Sequence, residues 1–294
     1  MQSSSRRCRP ATRRAALSYS PIGRYLLEIT SQKGTRLIQI TDTHLFAQAE
    51  GTLVGMNCEE GLRDVLALVR VHETEAAALL FTGDASQDHS AASYVRLDTA
   101  LSSLQLPQYW IPGNHDELSM LEHVIAPRHP CGHASFALGC WRVIMLDSSV
   151  PGHVDGRLRE EQLQYLRHNL EVACEPHVLV CLHHNPVPVA AAWLQRHCLK
   201  NPEELFAILD AEPRVHAVLF GHIHHELDVL RNGVRYLGSP STCVQFHPSS
   251  ADFALDDLNP GYRWLELMQD GSVNTGVRRV EGKRYDVDFS GIGY

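Results

Sequence analysis

The chain has 294 residues, 44% hydrophobic and 20% charged, the ordinary range of a globular protein with a sizeable core in one domain or two. Six arginines and no acid lie in residues 1–27, so removing them from the net charge of −8 leaves −14 for the rest, which excludes tracking of a long polyanion. The eight cysteines form no C-x-x-C pair and no apolar run approaches bilayer length, so a zinc ribbon, a disulfide framework and a membrane span are all unexpected.

Residues 1–34 read as a flexible, disordered basic extension, compatible with an over-called start site, because nothing there can bury a face. Residues 35–294 then form the folded domain. Thr35 to Thr41 is the first predicted strand, and it runs into Asp42-Thr43-His44, where residues two apart in extended backbone face the same side. Glu59 to Glu75 has helical apolar spacing at Leu62, Val65, Leu66 and Val69. Ala76 to Thr82 reads as a buried strand ending at Gly83-Asp84, with the carboxylate at the strand edge where open α/β sheets bind ligands. Ser90 to Leu104 is helical, and Gln108 to Ile111 is a strand that delivers Pro112-Gly113-Asn114-His115-Asp116. Here Asn114 offers a neutral oxygen ligand, His115 a proton carrier and Asp116 a carboxylate that could orient it.

Two strands flank Gly139-Cys140, a hairpin connection that makes the sheets mixed. Asp147 follows the second and reads as a structural hydrogen-bonder rather than a ligand. After a helix over Glu160 to Leu170, the strand His177 to Leu182 ends at His183-His184-Asn185-Pro186, histidines that either cap a strand or bind an ion. Pro202 to Asp210 is helical, and the strand Val215 to Phe220 leads to Gly221-His222-Ile223-His224, with His222 and His224 facing one side. His225 reads as a surface residue. Beyond it, strands bracket Asn232-Gly233, and Cys243 to Phe246, Tyr262 to Met268 and Ser272 to Val280 read as strands, the last two joined at Asp270-Gly271. The part after about residue 226 is thus mostly antiparallel β.

Five loops of similar make-up each follow an apolar strand: Asp42-Thr43-His44, Gly83-Asp84, Gly113-Asn114-His115-Asp116, His183-His184 and Gly221-His222-Ile223-His224. In content and order they resemble the motif series of the calcineurin-like metallophosphoesterase superfamily: D-x-H, G-D, G-N-H-D/E, H and G-H-x-H. Further phrases, among them Leu146 to Gly152, His183 to Pro188 and Ser239 to Phe246, look most like the bacterial class III cyclic nucleotide phosphodiesterases, the cyclic 3',5'-AMP phosphodiesterases.

The resemblance implies a four-layer αββα sandwich with two mixed sheets and a binuclear metal site at strand C-terminal ends. It also implies that Asp42, His44 and His224 hold one ion, that Asn114, His183 and His222 hold the other, and that Asp84 bridges them. His183 is preferred to His184 on the family's H-x-P pattern. The implied reaction is hydrolysis of cyclic 3',5'-AMP to 5'-AMP by a hydroxide shared between the ions, with His115 as general acid and Asp116 holding its ring. His44, Asp84, Asn114, His115 and His224 would contact the phosphate. Mixed oxygen and nitrogen donors without thiolates fit Fe, Mn or Zn better than Ca or Mg, and the resemblance implies two divalent ions, Fe(II) and/or Mn(II).

The expected partner is a small cyclic nucleotide, with no nucleic acid, no stable membrane association, a homodimer left open, and the cytoplasm as the setting. The alternatives are an enzyme acting on another small phosphodiester or a phosphomonoester, and a non-catalytic scaffold on the same fold.

Overall fold

The computed structural model describes residues 33–291 and 293; the expected basic extension falls almost wholly outside the described residues. Five strands form one sheet: β1 (Thr35–Ile40), β2 (Ala78–Phe81), β3 (Gln108–Trp110), β10 (Gly261–Leu267) and β11 (Val273–Arg279), in the order β11-β10-β1-β2-β3. The second sheet holds β4 (Ala134–Leu138), β5 (Trp141–Met145), β6 (His177–Cys181), β7 (Val215–Phe220), β8 (Leu227–Arg231) and β9 (Val234–Gly238), in the order β8-β9-β7-β6-β5-β4. Pairing is parallel along β1-β2-β3 and β5-β6-β7-β9, and antiparallel at the outer strands. Both sheets are therefore mixed, as expected.

The period-2 alternation of the strands sorts the core into two compartments. Leu37, Leu80, Val143, Leu179, Leu219 and Leu265 pack between the sheets. Ile38, Ile40, Leu79 and Phe81 point the other way, against Leu62, Val65 and Val69 of helix α1 (Cys58–His72) and Leu97 and Leu101 of α2 (Ala91–Ser102). On the second sheet Ile144, Val178, Val180 and Val218 join the cluster with Leu163, Leu166 and Leu170 of Glu160–Val172 and Leu205 and Leu209 of Pro202–Leu209. The result is the four-layer αββα sandwich. Asn57 caps α1 by accepting from Glu60 N at 2.7 Å, and Ser90 caps α2 by accepting from Ser93 N at 3.2 Å.

A polar seam crosses the dry layer between the sheets. Gln39 Nε2 donates to Thr82 Oγ1 at 2.8 Å and to Phe220 O at 3.2 Å, while Ser239 Oγ donates to Gln39 Oε1. Arg263, fully buried, donates to Ser239 Oγ at 3.1 Å and to Gly238 O at 2.7 Å. Such bonds are worth most where water is excluded, so the seam fixes how the two sheets meet, directly beneath the loops that follow β1, β2 and β7.

Two expectations differ in detail. Of Cys243 to Phe246 only Gln245–Phe246 is a strand, paired with Leu255–Asp256, because the preceding residues serve the site described below. Two short helices, Leu118–Val124 and Ala192–Gln195, span too few turns to leave a periodic signal. No helix among the described residues is long and apolar enough to cross a membrane.

Candidate metal centre

Five strand ends converge on one edge of the sandwich, bringing Asp42, His44, Asp84, Asn114, His183, His222 and His224 together. Donor atoms of Asp42, His44, Asp84 and His224 lie within 4.8 Å of one another, as do those of His183, His184 and His222. Asp84 Oδ2 lies 3.8 Å from His44 Nε2 and 3.4 Å from His183 Nε2, so it stands between the two groups. Asn114 Oδ1 is 3.2 Å from His183 Nε2, and His224 Nε2 is 3.2 Å from Asp42 Oδ1.

The backbone is strained at these residues. Asp42, His44, Asp84, His222 and His224 have φ of 54°, 46°, 55°, 68° and 48°, a region that costs a non-glycine residue free energy and clusters at functional sites. Close approach makes Gly113 obligatory, since a Cβ there would collide with Asp84 Oδ1. Gly83, at φ 102°, would place a Cβ 2.5 Å from His183 Nδ1. The loops are cross-linked by Asp42 N donating to Gly83 O at 2.9 Å and His44 N to Asp84 O at 3.0 Å.

The tautomers decide what the imidazoles offer. His44 Nδ1 donates to Gln87 Oε1 at 2.8 Å, His183 Nδ1 to Thr82 O at 2.7 Å and His224 Nδ1 to Val244 O at 2.9 Å. Each bond leaves the Nε2 lone pair facing the centre when the ring is neutral, the pattern of metal-ligating histidines held by carbonyl groups. His44 Nε2 and His224 Nε2 then face each other at 3.2 Å, an arrangement of two acceptors that repels unless a cation or proton lies between them. His222 Nε2 is buried without a hydrogen-bond partner. These are the features a cation pair satisfies, and the oxygen and nitrogen donor set suits a divalent transition metal.

His184 stands apart. Its Nδ1 accepts from Ser148 Oγ at 2.8 Å and its Nε2 donates to Val154 O at 3.1 Å, so neither nitrogen is free to ligate. Burial holds it down to about 3, as it does His44. His183 differs: burial pushes it down, but Asp84, joined by Asp42 and the Thr82 carbonyl, outweighs burial and lifts it to about 9. His222 is driven well below its ordinary value by burial and by His184 and His183. Asp147 accepts from Ser149 N at 2.8 Å and pairs with Arg159 at 2.8 Å, the structural role expected of it.

His115 lines the adjoining cavity, its ring 5.0 Å from that of His44 and its backbone N–H donating to Asp84 Oδ1 at 2.8 Å. Burial lowers its pKa. Asp116 requires a correction. Its Oδ2 accepts from Gly113 N at 2.8 Å, and its Oδ1 from Ala85 N at 3.0 Å, Ser86 N at 3.3 Å and Tyr94 Oη at 3.2 Å. Both oxygens are committed to bracing the loops rather than the His115 ring, because four buried donors converge on them. Burial and the Asp84 carboxylate raise Asp116 to about 7. His225 is also corrected from surface to buried, and burial first, then the nearby charges of His224, Arg279 and His247, hold its pKa down to about 4. The supports Gln87, Thr82 O and Val244 O went unforeseen; backbone carbonyls leave no mark in a residue pattern.

Residues 35–226 match the family model described as "Calcineurin-like phosphoesterase". The chain is 40% identical over 265 residues to the "3',5'-cyclic adenosine monophosphate phosphodiesterase CpdA" of Vibrio vulnificus, covering 90% of this chain and 97% of that one. It is 42% identical over 258 residues to the protein of the same name from Pseudomonas aeruginosa, covering 88% and 94%. Among solved structures, a dimetal phosphatase from Danio rerio superposes with a TM-score of 0.60 at 16% identity, covering 85% of this chain and all of that one, which shows a shared fold.

Proposed function

Because the chain belongs to the calcineurin-like phosphoesterase family, we propose that it hydrolyses cyclic 3',5'-AMP to 5'-AMP at the centre described above. The observation that carries this reading is the convergence of seven buried or half-buried donors, with inward Nε2 lone pairs and the orphaned His222 Nε2, beside a cavity lined by three of them, Asp84, Asn114 and His222, together with His115. Relatives of about 40% identity that bear the cyclic AMP phosphodiesterase name, matched along nearly their whole length, support the substrate.

Asp42, His44 and His224 would hold one cation, Asn114, His183 and His222 the other, and Asp84, whose Oδ2 faces both groups, would serve both. Fe(II) or Mn(II) suits this donor set. When bound, such a pair supplies an acidified water as nucleophile and neutralises the phosphoryl oxygens. The chain's own residues do the rest. His115 gives its proton to the departing 3' oxygen, a transfer that needs hydrogen-bond reach. That reach is set by the His115 N–H bond to Asp84, which ties the acid to the residue at the middle of the centre. Asp116 holds the loop in register from below. His44, Asp84, Asn114, His115 and His224 surround the phosphate.

Turnover of cyclic AMP against p-nitrophenyl phosphate and its bis ester tests the reading. Efficient cleavage of cyclic AMP and the bis ester is expected, and cleavage of the monoester alone would overturn it.

A further inference from the structure

The cavity beside the centre has a volume of about 410 Å³, within the range of small-molecule sites. Its lining is divided. Asp84, Asn114, His115 and His222 form one end, and Trp193, Phe246 and Phe253 form the other. We propose that these three aromatic side chains are the subsite that receives the flat heterocyclic base of the nucleotide; the proposal rests on the hydrolytic reading for where the phosphate lies.

Phe246 joins the two ends, its ring stacked on that of His224 with centroids 4.0 Å apart and planes 5° from parallel. The apolar wall thus begins at a member of the metal centre. Trp193 meets Phe246 edge-to-face at 4.9 Å and 76°, and Phe253 at 5.1 Å and 65°. Phe246 and Phe253 complete the triangle at 5.8 Å and 67°. Such edge-to-face contacts are favourable, and they fix each ring by the other two.

The backbone holds the same arrangement. Ala192 N donates to Ser250 O at 3.0 Å and His247 N to Ala254 O at 2.9 Å, tying the segments that carry Trp193, Phe246 and Phe253 to one another. A wall assembled before the ligand arrives spares the ordering cost of binding.

Phe246 is buried, as a supporting ring should be, whereas Trp193, which lines the cavity, is only half-buried. An ester no larger than its phosphate would leave that surface wet. A base covers it, and stacking tolerates any base because each has a π face. Arg196, His197 and Asp252 also line the cavity and supply the polar groups that can read the base edge.

Binding of 5'-AMP and of ribose 5-phosphate to the metal-loaded protein, followed by calorimetry, isolates the base. The wild type should bind 5'-AMP about tenfold or more tightly than ribose 5-phosphate. Trp193→Leu and Phe253→Leu keep apolar bulk but remove the ring; each should bring that ratio toward one and leave ribose 5-phosphate affinity within about twofold. In turnover, KM for cyclic AMP should rise about tenfold with kcat nearly constant. Variants that keep the wild-type ratio, or that weaken both ligands equally, would overturn the subsite. A wild type that prefers 5'-AMP over ribose 5-phosphate yet leaves cyclic AMP intact would overturn the hydrolytic reading while supporting the base subsite.

Discussion

Asp84→Asn removes one charge from the middle of the centre with little change in volume. The carboxylate lies 3.4 Å from His183 Nε2 and accepts from His115 N at 2.8 Å; an asparagine oxygen can keep only the second contact. The lift of His183 from 6.5 to about 9, against burial, comes first from the Asp84 carboxylate, with Asp42 and the Thr82 carbonyl adding to it. It corresponds to stabilisation on the order of 3 kcal/mol in the protonated state. Because the folded pKa is raised, that contribution is fully present below pH 6.5 and fades as pH climbs through about 9. Chelator-treated Asp84→Asn should therefore be less stable than wild type by roughly 2–3 kcal/mol at about pH 6, and the gap should close at about pH 9.5. With metals supplied, the variant should hold at most one ion per chain and lose about 10³-fold in turnover. Urea melts at the two pH values, with elemental analysis of protein purified without chelator, provide the readout. Equal stability at the lower pH, or two ions retained, would refute the reasoning.

His115→Ala should lower kcat by about 10²- to 10⁴-fold with metal content unchanged, and loss of metal would show that the residue belongs to the centre itself. His183→Ala should empty part of the centre, whereas His184→Gln should retain both ions and cost about 1–2 kcal/mol in stability, since its nitrogens serve Ser148 and Val154; elemental analysis and melts separate the two. The metal-free protein should also weaken toward acid. Burial holds His44 and His184 at about 3, so they stay neutral in the fold while the unfolded chain takes up protons below pH 6.5. Thermal melts in chelator should thus fall on both sides of about pH 6.5, with His183 governing the alkaline limb, and a monotonic profile would contradict this balance.

Apolar runs closed by Gly83-Asp84, Gly113-Asn114 and Gly221-His222 show strand ends carrying polar loops, because a buried strand and a sharp turn are local demands on residue type. The hairpin at Asn232-Gly233 is legible for the same reason: both residues take positive φ, at 49° and 85°. The order and make-up of the loops carry the family resemblance, and it is the resemblance that implies the sandwich and the set of converging residues without coordinates. The role of Asp116 cannot be read in this way, since its partners Ala85, Ser86 and Tyr94 lie 22 to 31 positions away. Nor can the choice between His183 and His184, adjacent in the chain, whose ring nitrogens meet different neighbours across the sheet. The same holds for the aromatic wall, where the four-residue helix bearing Trp193 has no periodic pattern and its meaning comes from Phe246 and Phe253 packing beside it. Residue type and spacing decide what a segment can form and which atoms it can offer. Which lone pair is left open, and toward what, depends on hydrogen bonds to distant backbone, and those exist only once the two sheets have closed on each other.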